Sequence, residues 1–325
     1  MTPDLYVPVL HGASAERPDE ADTIVAAECV QAALERLGYR SALLHMDLDG
    51  TCIENLATER PAMVFNLVEA LRGDAALAHL APSLLEHFHL DYTGARAEAW
   101  RLTLSKITTK RLLTSAGLPT PAWSLDGTDE GLGARVIVKS ITEHASLGID
   151  SDSVVLAERA AREIARRQAR FGGHFFAEAY IEGREFNLSV IEDKGQPIVL
   201  PPAEIEFVGY PEDRPRIVDY EAKWHEGSFA YENTPRRFQF PSHDEVLLRE
   251  LQDLALAAWR LFDLSGYARV DFRVDGHGRP MILEVNVNPC LSPDAGFAAA
   301  AERAGLSYDR MIGHIVEAAA RPASR

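Results

Sequence analysis

Apolar and polar positions alternate most regularly near the C-terminal end. In Tyr267-Ala-Arg269-Val-Asp271-Phe-Arg273, the apolar Val270, Phe272 and Val274 alternate with Arg269, Asp271 and Arg273. In the next run Met281, Leu283 and Val285 alternate with Ile282, Glu284 and Asn286. A period of two sends the sets to opposite faces of two strands. The link Asp275-Gly276-His277-Gly278 predicts a tight hairpin turn. A turn symmetric about Gly276-His277 sets Arg269 opposite Glu284 and Asp271 opposite Ile282. Asp271 and Glu284 are then diagonal neighbours on a face shared with Arg269 and Asn286.

Strand and helix patterns alternate at the start. Leu5 to Leu10 is a short apolar run. Asp19-Glu-Ala-Asp-Thr opens a helix with apolar positions Ile24, Val25, Cys29, Leu34 and Leu37, ended by Gly38. Strands over Ser41 to Met46 and Ala62 to Val68 and a helix over Leu77 to Phe88 complete an α/β layer in residues 1–95, closed by Tyr92-Thr-Gly94. Residues 96–181 read as a helix from Leu102 to Ser115, a buried-type strand Arg135 to Lys139, a polar loop Thr142 to Gly148, a basic helix Val155 to Phe171 and a strand from Phe175. In residues 182–325, Glu185 to Glu192 and Pro197 to Phe207 read as strands. Glu206 to Arg236 is long, aromatic and weakly periodic, as functional loops are. A helix from His243 to Leu264, packing Val246, Leu247, Leu251, Leu254 and Trp259, precedes the hairpin. Helices near 294–304 and 307–319 follow it.

The chain has 325 residues, 46% of them hydrophobic, enough for up to three packed domains. A net charge of −16 argues against a nucleic-acid backbone or an anionic membrane as partner. No apolar run is long enough to span a bilayer. The N-terminus lacks the basic and apolar regions of a secretion signal, so a cytoplasmic protein is expected. Three scattered cysteines predict neither a disulfide framework nor a zinc site.

Two carboxylates, an amide and an arginine on one strand face suit a hard cation and a phosphate, since Mg²⁺ takes oxygen ligands and arginine matches an oxyanion. An ordinary salt-bridged hairpin also accounts for them. Lys139 closes an apolar strand, where a charge needs a partner or an exit to water. Lys106 begins a helix, where the residues by themselves favour an exposed first-turn lysine over a phosphate contact. The loop Thr142 to Gly148 can fold over a phosphate through its backbone N–H groups, although it is no Walker loop. Glu178 and Glu185, seven residues apart, are spaced to meet a nucleotide's amine edge and ribose, or are surface glutamates.

In order and spacing these pieces resemble the ATP-grasp ligases, and among them the D-alanine–D-alanine ligase family, along nearly the whole chain. The densest part is Arg269-Val-Asp271-Phe, Ile-Leu-Glu284-Val-Asn286-Val-Asn-Pro289 and Leu291-Ser-Pro293, then Ala304-Gly-Leu-Ser-Tyr308. Asp219-Tyr-Glu-Ala-Lys223-Trp224, Val136-Ile-Val-Lys139, Tyr92-Thr-Gly94, Lys106 with Lys110, and Ser14-Ala-Glu16-Arg17 are also similar. The resemblance implies an α/β (α+β) ATP-grasp fold behind an N-terminal Rossmann-like domain, and an ATP-dependent carboxylate–amine ligase working through an acyl phosphate. It implies that Asp271, Glu284 and Asn286 hold two Mg²⁺ ions, with Mn²⁺ as a substitute, and that Arg269 lies against the transferring phosphoryl group. Lys106 and Lys139 would contact phosphates, Glu178, Ala179, Tyr180 and Ile181 would form the adenine hinge, and Glu185 would bind ribose. Lys223 would reach the γ-phosphate as its loop closes, and Glu16 would join the catalytic and substrate-binding groups. Small amino acids or carboxylates are the implied substrates, and a homodimer the implied assembly.

The departures concern the amino-acid site. A family network of glutamate, serine and tyrosine keeps Glu16, but Ala145 and Trp224 replace its hydroxyls. Glu69 stands at a histidine position and Cys290 at a glycine position. Ala295 aligns with a serine that contacts the second substrate, with Asp294 beside it. A carboxylate at Glu69 or Asp294 favours an amine-bearing substrate; alternatively Glu69 pairs with Arg72. Cys290 has no histidine placed beside it by the sequence and reads as structural rather than nucleophilic.

Overall fold

The computed structural model describes residues 5–14, 17–143 and 146–320. The first stretch gives β1 (Val9–His11), α1 (Pro18–Arg36), β2 (Leu43–His45), α2 (Thr51–Glu59), β3 (Phe65–Asn66) and α3 (Leu80–His87). Its sheet is parallel in the order β2-β1-β3, as βαβ crossovers require. The buried stripe of α1 runs through Thr23, Ala26, Ala27, Val30, Ala33 and Leu34. Of the expected stripe Leu34 is buried and Ile24 and Cys29 are half-buried, but Val25 and Leu37 are exposed, and small alanines let the helix approach the sheet. After β1, Gly12 lies so close to the following stretch that a Cβ there would sit 2.1 Å from the Ala70 carbonyl oxygen. This approach brings Glu69 to the end of the sheet.

The expected helix over 102–115 is two helices, α4 (Ala97–Leu104) and α5 (Lys106–Ser115). Ser105 breaks them with an extended backbone and accepts a hydrogen bond from the Thr108 N–H, capping α5. Lys106 and Lys110 consequently share one buried face of α5, one turn apart. Next come β4 (Trp123–Ser124), β5 (Arg135–Ser140), β6 (Val154–Leu156), α6 (Ala160–Phe171) and β7 (Phe175–Ala179), with an antiparallel sheet β4-β7-β5-β6. Residues 155–156, expected as the start of the basic helix, pair with β5 as part of β6 instead, and Val155 packs against the apolar cluster there.

The last stretch contains β8 (Gly183–Asp193), β9 (Gln196–Val199), β10 (Ala203–Ile205), α7 (Tyr220–Trp224), α8 (Phe229–Glu232), β11 (Arg236–Arg237), α9 (Glu245–Leu261), β12 (Tyr267–Asp275), β13 (Pro280–Asn286), α10 (Gly296–Arg303) and α11 (Tyr308–Ala319). Five strands run β11-β10-β8-β12-β13, and β9 joins β8. Leu251, Ala255 and Trp259 of α9 cover one face, whereas Val246, expected inside, is 69% exposed near the helix start. The expected hairpin forms in a different register. Val274 pairs with Pro280 and Phe272 with Ile282, but a bulge then sets Asp271 opposite Glu284 and Arg269 opposite Asn286. Leu283 is the extra residue. Without it the longer turn would leave Glu284 on the core side; the bulge returns it to the open face and leaves Ile282 and Val285 both buried. Among the described residues no helix is long and apolar enough to cross a membrane.

Candidate active site

A cavity of about 660 Å³ opens between the four-stranded sheet and the open face of the hairpin. Asp22 and Glu69 line it from the first stretch, Lys139 and Glu178 from the second, Arg269 and Glu284 from the third. That volume suits a nucleotide with a small substrate beside it.

One wall holds buried charge. Glu178, on β7, is 1% exposed and receives Lys110 Nζ at 2.5 Å and Lys139 Nζ at 2.6 Å. Burial pushes its carboxyl up, but the two ammonium groups prevail and hold it below the ordinary value. Burial lowers Lys110, with Glu178 opposing, and lowers Lys106, with Glu284 opposing. Lys106 donates to the Glu143 carbonyl and lies 4.0 Å from Glu284. Three ammonium groups thus face two carboxylates, which leaves one positive charge for an anion to neutralise. Ala179, Tyr180 and Ile181 line the cavity beside Glu178, and Arg135 stacks over the Tyr180 ring at 4.9 Å.

The hairpin is the opposite wall. Arg269 holds Asp271 bidentately at 2.7 and 2.8 Å, and Asn187 donates to the same carboxylate at 2.9 Å. Burial works against the Arg269 charge, but Asp271 and Glu284 outweigh it and raise its pKa. Asp271 and Glu284 face each other directly, closer than the expected diagonal, and such a pairing of like charges costs stability unless compensated. Asn286 lies one pair further on, its side-chain oxygen accepting the Asn288 N–H at 2.9 Å. Among the described residues no group of three His, Cys, Asp or Glu side chains comes together as a metal cluster. Two carboxylates and an amide oxygen nevertheless fit Mg²⁺, which completes its shell with water and substrate phosphates.

The segment 206–236 lies over this cavity. Lys223, on α7, lines it, its pKa lowered by burial and by Arg269 against the pull of Glu284, Asp271 and Glu185. Arg273 ion-pairs with Glu185 at 2.8 Å and donates to the Arg216 carbonyl, so Glu185 is tied to the base of this segment. Tyr220 Oη donates to Asp19 of α1 at 3.1 Å, and Ser146 donates to the Val218 carbonyl at 3.0 Å. The hydroxyl absent from Trp224 thus has a counterpart one turn earlier. Glu16, His144 and Ala145 lie outside the described residues.

At the far end, Cys290 Sγ donates to Asp22 Oδ2 at 2.9 Å and Ser292 Oγ to Asp22 Oδ1 at 2.8 Å. Burial, then Asp22 and Glu69, push the Cys290 thiol well up, as befits a structural thiol. Burial, then Asp22 and Asp19, push the Glu69 carboxyl up to about 8, with Arg269 and Lys223 opposing. Glu69 does not pair with Arg72, which binds Asp47 at 2.7 Å with its backbone turned at φ 52°. Asp294 is exposed at the rim, its carbonyl taking Arg236 at 2.8 Å, and Ala295 caps α10. Sequence reasoning missed Asp22, Asn187, Tyr220 and Arg273. Arg273 had a signal, since it shares the strand parity of Arg269 and Asp271; Asp22 gave none, because its partners are 268 and 270 residues away.

A family model described as the D-alanine–D-alanine ligase C-terminus matches residues 114–317. The chain belongs to that ligase family. A D-alanine–D-alanine ligase of Moorella thermoacetica is 32% identical over 97% of this chain and 98% of its own length. An uncharacterised protein of Sinorhizobium fredii is 30% identical over 91% and 87%. The crystal structure of a Bacillus anthracis D-alanine–D-alanine ligase complexed with ATP matches with a TM-score of 0.75 and 20% identity, covering 97% of both chains, a likeness of fold. The protein is an ATP-dependent carboxylate–amine ligase of the D-alanine–D-alanine ligase type on the ATP-grasp fold.

Proposed function

We propose that the protein joins a small amino acid or carboxylate to an amine through an acyl phosphate, with D-alanine the first substrate to test. The observation that carries this reading is the hairpin face, Arg269, Asp271, Glu284 and Asn286, on the same cavity as the buried lysines. Ala179 to Ile181 frame the adenine, and Glu178 positions Lys110 and Lys139 rather than touching the base itself. Lys106 and Lys139 bind phosphate oxygens, and Glu185, once it shares Arg273, reaches the ribose. Asp271, Glu284 and Asn286 would hold Mg²⁺, which neutralises charge on the transferring phosphoryl group when bound. Arg269 turns from Asp271 toward that group, and Lys223 brings a further positive charge from the closing segment. The substrate carboxylate attacks the γ-phosphorus and ADP leaves; the neutral amine then attacks the acyl carbon and inorganic phosphate leaves. Trp224 and α7 exclude water, which would hydrolyse the acyl phosphate. This chemistry fits a cytoplasmic setting, where ATP is abundant.

The test is a pairwise screen of D- and L-amino acids and small acids, scored by ADP release and product mass. Asp271→Ala and Glu284→Ala abolish amine-dependent ADP release while the circular-dichroism spectrum is retained. Full activity in either variant refutes the site.

A further inference from the structure

Asp22 and Glu69 face the substrate end of the cavity, and among the described residues neither makes an ion pair, Arg269 and Lys223 acting on Glu69 without touching it. Among the described residues Glu69 makes no hydrogen bond or ion pair. Its sequence neighbour Arg72 is committed to Asp47. Among the described residues Asp22 accepts only the neutral Cys290 thiol and Ser292 hydroxyl. Asp19, the next carboxylate, already has Arg17 at 3.0 Å and the Tyr220 hydroxyl. Arg269 is held bidentately by Asp271. The two acids come from separate elements, α1 and the turn after β3, and the turn is pressed inward by the Gly12 approach. They face one cavity that also holds the reacting-centre arginine. Two carboxylates placed together in a part-buried cavity are costly unless a positive charge joins them. The α-ammonium of a donor amino acid supplies one positive charge for two acids, and an alanine side chain adds none.

We propose that one of the two molecules joined by this enzyme carries a side-chain cation, an ammonium or guanidinium group beyond its α-amine, which docks between Glu69 and Asp22. This inference rests on the ligase reading and names its substrate class. Each carboxylate supplies an acceptor oxygen to the cation, and Cys290 and Ser292 act as positioning residues that fix the Asp22 rotamer. The pair discriminates as well as binds: a neutral isostere would leave both acids unpaired in a space it fills.

The test compares lysine with norleucine and ornithine with norvaline, in both handednesses, each offered with alanine and with small acids. Formation of amide is followed by mass and ADP release. The expected result is a kcat/KM at least tenfold higher for the cationic member of the productive pair. Glu69→Gln and Asp22→Asn each narrow that ratio tenfold or more, by lowering turnover of the cation and not of its isostere. Equal turnover of cation and isostere, or an unchanged ratio in Glu69→Gln, overturns the inference while leaving the ligase reading standing. If no pair yields an amide, the ligase reading itself fails. The docking claim is then decided by thermal shift with a non-hydrolysable ATP analogue present. Stabilisation by lysine or ornithine that norleucine and norvaline lack, and that Glu69→Gln removes, supports it; equal shifts or none overturn it. Glu69→Gln relieves repulsion in the ligand-free protein, so its folded yield matches or exceeds that of the wild type.

Discussion

Lys110→Met tests whether the buried charge cluster is built as described. Lys110 is fully buried and its ammonium lies 2.5 Å from Glu178, which is 1% exposed. Methionine keeps most of the side-chain length and removes the charge. Breaking a buried ion pair from one side costs about 3–5 kcal/mol, because the remaining charge is left unpaired. Here Lys139 stays at 2.6 Å from the other carboxylate oxygen, so the loss falls to about 2–3 kcal/mol, below that range. In a chain of this size that corresponds to a melting point lower by roughly 3–4 °C. Urea unfolding of wild type, Lys110→Met, Glu178→Gln and the double variant gives the coupling directly. The double variant should lose at least about 1 kcal/mol less than the sum of the single losses, since Lys139, alone of the three groups, can reach water. The pH dependence has a definite sign. The folded Glu178 carboxyl is held below its ordinary 4.5, so its contribution is complete above that pH and drains as pH falls through the folded value. Lys110→Met should therefore lose stability at neutral pH and show a weaker acid dependence. A loss under about 1 kcal/mol, with additive single variants, would refute the cluster.

Glu69→Gln has the opposite sign. A carboxyl held up to about 8 burdens the folded state increasingly as pH rises from 4.5 to 8, so the variant gains on the wild type across that window in urea titrations; a gap that does not change with pH refutes it. Tyr220→Phe removes the 3.1 Å bond to Asp19, worth about 1 kcal/mol and so roughly a fivefold change. More ADP should be released per amide formed, and unchanged coupling in that assay would show that the bond does not hold the segment closed. Gly12→Ala should cost about 1–3 kcal/mol by urea unfolding, since the Ala70 carbonyl must move; wild-type stability would contradict the close approach.

The hairpin shows how far the sequence is legible. Alternation assigned its strands and its open face, because both strands bury one side against α9 and its neighbours. The register was not legible, since a turn one residue longer and the bulge at Leu283 are set by how the strand packs. Most predicted cavity residues do meet there, because strand ends and loops carry them at fixed parity. Glu178 was legible as a site residue but not as the anchor of two lysines, and Lys110 was legible only as part of a motif, until the Ser105 break rotated α5. Asp22 and Tyr220 were illegible: their partners come from other elements, and no local period records a contact across 200 residues or more. On α1, large apolar residues found Leu34 but also drew attention to the exposed Val25 and Leu37, while alanine burial depends on how near the sheet lies.

The central claim is that a carboxylate is activated by direct attack on the γ-phosphorus. Ligation with a substrate whose carboxylate is labelled with ¹⁸O tests it. The account predicts that each turnover delivers one labelled oxygen to inorganic phosphate, the other staying in the amide carbonyl. Amide formed with unlabelled phosphate would contradict it.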